Sequence, residues 1–225
     1  MNADQPGYFA GEGLTGVRGE KRLFSALGFA LAPGEALILS GPNGSGKSTL
    51  LRLMAGFGRP AEGRFTWNGT DIATDAEAHR ARLHYVGHLD GLKPALTVAE
   101  TVAFWSALAG ETADPAAALA PLGLQPLAAM PCRFLSSGQR RRLTLSRLAL
   151  RPAPLWLLDE PTVGLDRDSL DALSRLIAGH RARGGLVILS THQGIDVPDP
   201  QTLSLPDFPP ARTGGRVLAG AALDW

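Results

Sequence analysis

Residues 41–48 read GPNGSGKS, which fits G-x-x-x-x-G-K-[ST] between an apolar run, ALILS (36–40), and a stretch of helical character. The pattern suits a polyanion. A triphosphate is held by many backbone N–H groups, so glycines are needed where the main chain must approach it closely. A following helix N-terminus adds partial positive charge, Lys47 reaches the outer phosphates, and the Ser48 hydroxyl ligates Mg²⁺. The expected nucleotide cradle is therefore Gly41, Pro42, Asn43, Gly44, Ser45, Gly46, Lys47, Ser48 and Thr49. Far downstream, LWLLDE (155–160) carries a second group. Four apolar residues bury the strand, and Asp159 and Glu160 emerge at its carboxyl end, where open α/β sheets bind ligands. Asp159 is expected to hold Mg²⁺ through water and Glu160 to polarise an attacking water. Alone, such an acidic pair is more often a helix cap or a solvated loop; the glycine loop reverses that towards catalysis.

Three further motifs follow the loop in order: LSSGQRRRL (135–143), PTVGLD (161–166) and STHQ (190–193). From the residues alone, LSSGQ is a small-residue turn opening a helix, with Ser136 or Ser137 an ordinary N-cap at what is also an anion site. Arg140, Arg141 and Arg142 read as a solvated helix face with their aliphatic stems packed down.

With these motifs in this order the chain resembles the ATP-binding cassette ATPases, whose signature reads L-S-G-G-Q; Ser136, Gly138 and Gln139 match, and Ser137 replaces the first glycine. The likeness runs from about Leu14 to about Leu205. It implies that Ser136, Ser137, Gly138 and Gln139 face the γ-phosphate bound on an opposite subunit, so that hydrolysis needs a head-to-tail pair. It makes Asp166 the D-loop acid and His192 the switch histidine that contacts the γ-phosphate. Arg18 stands where most cassettes stack adenine on an aromatic ring; a guanidinium plane can also stack, which leaves base selectivity open. His88 falls where most cassettes carry a Gln that touches Mg²⁺ and water, in a loop that signals to a membrane subunit. As a neutral acceptor there, an imidazole would make the site pH-sensitive; the ordinary alternative is a histidine in an exposed loop.

Gly87-His88, Gly91-Leu92-Lys93 before LTVAE, the small middle signature residue, the Leu155-Trp156 start of the acidic strand and T-H-Q at the switch are similar to one branch, the haem exporter ATPases of cytochrome c maturation. The branch implies an ATPase using ATP and Mg²⁺, bound peripherally at the cytoplasmic face of a bacterial inner membrane. Its implied partners are integral membrane permease subunits and a second copy of itself. Whether haem moves or a haem-loaded chaperone is released stays open, and no stretch reads as a haem site. Competing readings are another small exporter ATPase for drugs, lipids or peptides, a cassette that binds ATP without turnover, and a soluble cassette acting on nucleic acid or ribosomes. Lys47, Asp159, Glu160 and His192 oppose the second, and near-neutral charge with no coiled-coil arms opposes the third.

These residues must be positioned by apolar strands alternating with helices. ALILS, RFTWNG with a turn at Asn68-Gly69, LHYVG, LWLLD and LVILS (186–190) read as strands. Helices are expected from about Gly46 to Ala55, within LTVAETVAFWSALAG, in DPAAALAPLGL capped by Asp114 with Pro115 first, from about Ser137 through Leu150, and over Asp168–Ala182. The pattern implies a parallel sheet covered on both faces. The expected fold is an α/β P-loop NTPase with a RecA-like parallel core, an inserted helical subdomain and, from the resemblance, an N-terminal antiparallel β portion. One domain would span 1–225: residues 1–88 and 151–205 form the α/β core, 89–150 the helical subdomain with the signature, and 206–225 a tail.

Composition agrees. With 225 residues, 44% hydrophobic, and 22 Lys plus Arg against 21 Asp plus Glu, the chain is globular with no basic footprint for nucleic acid. Cys132 is the single cysteine, so no internal disulfide or Cys-rich metal site is expected. The polar, Gly-rich N-terminus has no secretory pattern, and no apolar run is long enough to cross a bilayer.

Overall fold

The computed structural model describes residues 7–110, 114–192 and 194–210. Its centre is a five-stranded sheet built from β3 (Ala36–Ser40), β6 (Leu83–Val86), β7 (Leu155–Asp159), β8 (Leu186–Ser190) and β9 (Gln201–Ser204), in the order β6-β7-β8-β3-β9. Every neighbouring pair in it is parallel. The strands β7 and β8 are buried at every residue because both faces of the sheet are covered. Side chains alternate across it. Leu37, Leu39, Leu155, Leu157, Leu186 and Ile188 enter one core, while Ala36, Trp156, Leu158, Val187 and Leu189 enter the other. Each fully buried Leu or Ile contributes about 1.5–3 kcal/mol relative to exposure.

The first core is closed by α1 (Lys47–Met54) and by an antiparallel sheet of β1 (Phe9–Arg18), β2 (Lys21–Leu31), β4 (Glu62–Trp67) and β5 (Thr70–Asp71), in the order β2-β1-β4-β5. Asn68 and Gly69 both have positive φ, 50° and 78°, which is the two-residue turn that fits strand twist and joins β4 to β5. A short helix, α2 (Ala76–Ala81), leads into β6.

The second core lies under the helical layer: α3 (Val98–Leu108), α4 (Pro115–Leu119), α5 (Ser137–Leu145) and α6 (Arg167–Ala182). Thr97 and Glu100 form a reciprocal capping box on α3, and Ser136 and Gln139 form another on α5. Two expected helices are shorter than their sequence suggested. After α4 the chain tightens into a 3₁₀ turn, Ala120–Leu122, that contains Pro121 and stops at Gly123 with φ 64°. The helix α5 ends at Leu145 and passes into a 3₁₀ turn, Ser146–Ala149, where the Ser146 hydroxyl donates back to the Leu143 carbonyl at 2.7 Å. Where the expected tail begins, Leu205–Asp207 form a 3₁₀ turn across its boundary and Phe208 packs on the first core; 211–225 lie outside the described residues. No helix among the described residues is long and apolar enough to cross a membrane.

Candidate nucleotide site

The glycine loop joins the carboxyl end of β3 to α1. Gly41, Gly44 and Gly46 have φ of 137°, 80° and 109°, a region that a side chain would strain. Gly46 is the N-cap of α1 and no side chain caps the helix, so its first N–H groups face the loop without a side-chain acceptor. That is what a phosphate requires. A Cβ on Gly41 would lie 2.9 Å from Ser45 Oγ and 3.0 Å from Pro206 Cδ, so the chain after β9 closes the back of the loop. Lys47 is almost buried, its Nζ donating to the carbonyls of Gly41 at 2.7 Å and Pro42 at 3.3 Å.

Strand β7 delivers the acids beside this loop. Ser48 Oγ donates to Asp159 Oδ1 at 3.0 Å, and Ser190 Oγ at the end of β8 donates to the same oxygen at 2.8 Å. Two hard oxygen donors, Ser48 Oγ and the Asp159 carboxylate, thus meet at the mouth of the loop, a donor set that fits Mg²⁺. Glu160 follows with φ 48°, a strained conformation for a side-chain-bearing residue. Its N–H is held by the Ser190 carbonyl and hydroxyl, both at 3.1 Å. From the loop after β8, His192 places Nε2 3.1 Å from Lys47 Nζ, 2.9 Å from Asn43 Oδ1 and 3.5 Å from Glu160 Oε1. The neutral ring can accept from Lys47, and the protonated ring can donate to Asn43 or Glu160. Gln193 of the T-H-Q motif lies outside the described residues.

A groove of about 340 Å³ runs over the loop, lined by Arg18, Leu23, Asn43, Gly44, Gly46, Lys47, Ser48, Thr49, His88 and Glu160. Arg18 comes from the exposed end of β1 and His88 from the bend after β6, so residues from four separate segments converge there. The structure does not bring Ser136, Ser137, Gly138, Gln139 or Asp166 into this lining. Ser136 caps α5, and its Oγ accepts from Gln139 N at 3.2 Å. Asp166 caps α6, accepting from Ser169 N at 3.0 Å, and its hydrogen bonds from Ser169 hold the carboxyl below the usual carboxylate range. The two turns touch: a Cβ on Gly138 would sit 2.6 Å from the Gly164 carbonyl.

Three site neighbours were missed or misread from sequence. Ser190 looked like the last residue of a strand, and Leu23 lay in a stretch with no clear period. Arg141 corrects the reading of the arginine run as a solvated face: it is 4% exposed and donates to four backbone carbonyls. Burial lowers its pKa, opposed chiefly by nearby Asp90. A signal was present, because Arg141 is three and four residues before the buried Thr144 and Leu145 and so shares their inward face.

The ABC transporter family model matches residues 24–163. A cytochrome c biogenesis ATP-binding export protein, CcmA, of Rhodospirillum rubrum is 56% identical over 96% of this chain and 94% of its own length. The protein of the same description from Paramagnetospirillum magneticum is 51% identical over 89% of this chain and 94% of its own. Among solved structures, a putative ABC transporter ATP-binding protein from Pyrococcus furiosus superposes with a TM-score of 0.78 at 21% identity, covering 90% of this chain and all of its own; this likeness concerns the fold alone. From the glycine loop to the acidic strand, and across nearly the full length of these relatives, the chain belongs to the ABC transporter family, within its cytochrome c biogenesis ATP-binding export proteins.

Proposed function

We propose that two copies of the chain clasp ATP and Mg²⁺ head to tail at the cytoplasmic face of a bacterial inner membrane. Their hydrolysis cycle drives membrane permease subunits in an export step of cytochrome c biogenesis. The observation that carries the reading is the meeting of Ser48 and Asp159 at 3.0 Å with Glu160 and His192 beside the uncapped start of α1. Backbone N–H groups of the loop and Lys47 would take the phosphates, and Arg18 and Leu23, which line the same groove, would meet the base and sugar. Mg²⁺, held by Ser48 and Asp159, would offset phosphate charge. Glu160 then orients and polarises water, while His192 reads the outer phosphate. His88 lines the same groove and would sense that end of the nucleotide.

The signature turn supports the paired reading. Its residues present a capped helix start that does not line the chain's own groove, which supports its supply to a second copy. Support for a permease partner comes from a different groove, about 440 Å³, between the core and the helical layer. Phe57, Tyr85, Trp105 and Leu108 line it together with Arg147 and Arg151, and Phe57 and Leu108 are 42% and 71% exposed. An exposed apolar cleft flanked by cations suits an amphipathic segment of a membrane protein. The role of the Rhodospirillum rubrum and Paramagnetospirillum magneticum relatives in cytochrome c biogenesis supports that branch.

The decisive pair of variants is Lys47→Ala and Glu160→Gln. Lys47→Ala should lose ATP binding, while Glu160→Gln should bind ATP normally and accumulate as a closed pair in size-exclusion chromatography. Normal turnover by both would overturn the mechanism.

A further inference from the structure

Arg141 projects inward from α5, the helix that begins with the signature turn. Its Nη2 donates to the carbonyls of Asp159 at 2.7 Å and Glu160 at 2.8 Å, and its Nε to that of Pro161 at 3.4 Å. Its Nη1 donates to the carbonyl of Gly87 at 2.9 Å, next to His88, and lies 3.6 Å from Asp90 Oδ1. One side chain therefore joins three segments: the signature helix, the end of the acidic strand and the turn that carries His88. Glu160 needs such fixing. Its φ of 48° is strained for a residue with a side chain and persists only where neighbours determine it. Ser190 holds the N–H of Glu160 and Arg141 holds its carbonyl, so both ends of the strained residue are pinned. A planar fork spreads five donors over three nitrogens and so reaches carbonyls on separate segments; the three donors of an ammonium radiate from one nitrogen and cannot span them. Packing alone does not account for the residue, since a buried cation with one partial carboxylate partner is a poorer core element than an apolar side chain.

We propose that Arg141 is a positioning residue for hydrolysis. Its guanidinium locks Glu160 and the turn before His88 to the signature helix, so turnover needs it while ATP affinity, set by the glycine loop, does not. This rests on the reading of Glu160 and His88 as parts of the hydrolytic site. It also makes the aim of the acid depend on where the signature helix sits.

The test uses the assembled complex with its membrane subunits, carrying Arg141→Lys and, separately, Asp90→Asn. Arg141→Lys should lower kcat at least tenfold with the KM for ATP within twofold, at a temperature where circular dichroism shows the variant folded. Asp90→Asn, at a half-buried position, should lower kcat two- to fivefold with KM unchanged and add little in the double variant. An unchanged kcat in Arg141→Lys, or a KM that rises as far as kcat falls, would overturn the proposal. If Arg141→Lys fails to fold, an unchanged kcat in Asp90→Asn overturns it instead. Glu160→Gln, measured alongside, separates the failures: if it turns over normally, the reading of Glu160 is at fault. If it is inactive while Arg141→Lys is normal, only the role of Arg141 falls.

Discussion

Acidification should loosen the fold from within the sheet that carries the acids. His84 on β6 pairs across the ladder with Trp156 on β7, and His180 of α6 stacks on the Trp156 ring at a centroid distance of 3.9 Å. Burial pushes both histidines down from 6.5 to about 4, and the surrounding groups, Arg147, Arg151 and Arg183, are all cationic. A folded pKa below the unfolded one means that the neutral ring stabilises the fold. That contribution is complete above pH 6.5 and is lost as pH falls from 6.5 towards 4. At about 1.4 kcal/mol for each pH step, moving to pH 5 removes about 2 kcal/mol per histidine and about 4 kcal/mol for the pair. Urea unfolding of the isolated chain at pH 7.5 and pH 5 reads this directly. His180→Phe keeps a ring against Trp156 and removes one titration. Its loss of stability between the two pH values should be about 2 kcal/mol smaller than that of the native chain. The lost hydrogen bond to the Leu186 carbonyl is common to both pH values and drops out of the comparison. Identical pH dependence in the two proteins would refute the reasoning.

Gly138→Ala places a Cβ 2.6 Å from the Gly164 carbonyl, a backbone atom that cannot rotate away as a side chain could. The turns must part by about half an ångström, which should cost about 1–3 kcal/mol in urea unfolding and slow ATP turnover by the complex. Leu108→Glu puts a charge into the cleft beside Trp105. It should reduce recovery of membrane subunits with the tagged chain at least tenfold, while ATP binding by the isolated chain stays as it was.

The parts legible in sequence were those where backbone geometry dictates residue type. Gly41, Gly44 and Gly46 announce a loop that only glycine tolerates, and Asn68-Gly69 announces its turn. LWLLD and LVILS read as strands because both their faces are buried. The strands β1 and β2 had no such signature. Gly11, Gly13 and Gly16 interrupt β1, and its pairing with β2 shifts register repeatedly, so no clean alternation survives. The early end of α5 was hidden because a serine in a helical pattern is unremarkable until its hydroxyl turns back on the backbone. Arg141 was misread for a different reason. Charge suggested solvent, and the carbonyls that satisfy it come from segments 18 to 54 residues away in the chain. Arg18 and His88 could be named only through the resemblance to the cassette ATPases, and their arrival in one groove depends on how β1 and β6 are placed by two different sheets.

The contact between Gly138 and Gly164 has a mechanical result. Where two main chains abut with no side chain between them, one cannot advance on the other without displacing it. The stretch from Pro161 to Asp166 is thereby geared to the tip of α5, and that same stretch begins one residue beyond Glu160. A shift of the outer tip would therefore bear on the turn that leads back to the inner carboxylate.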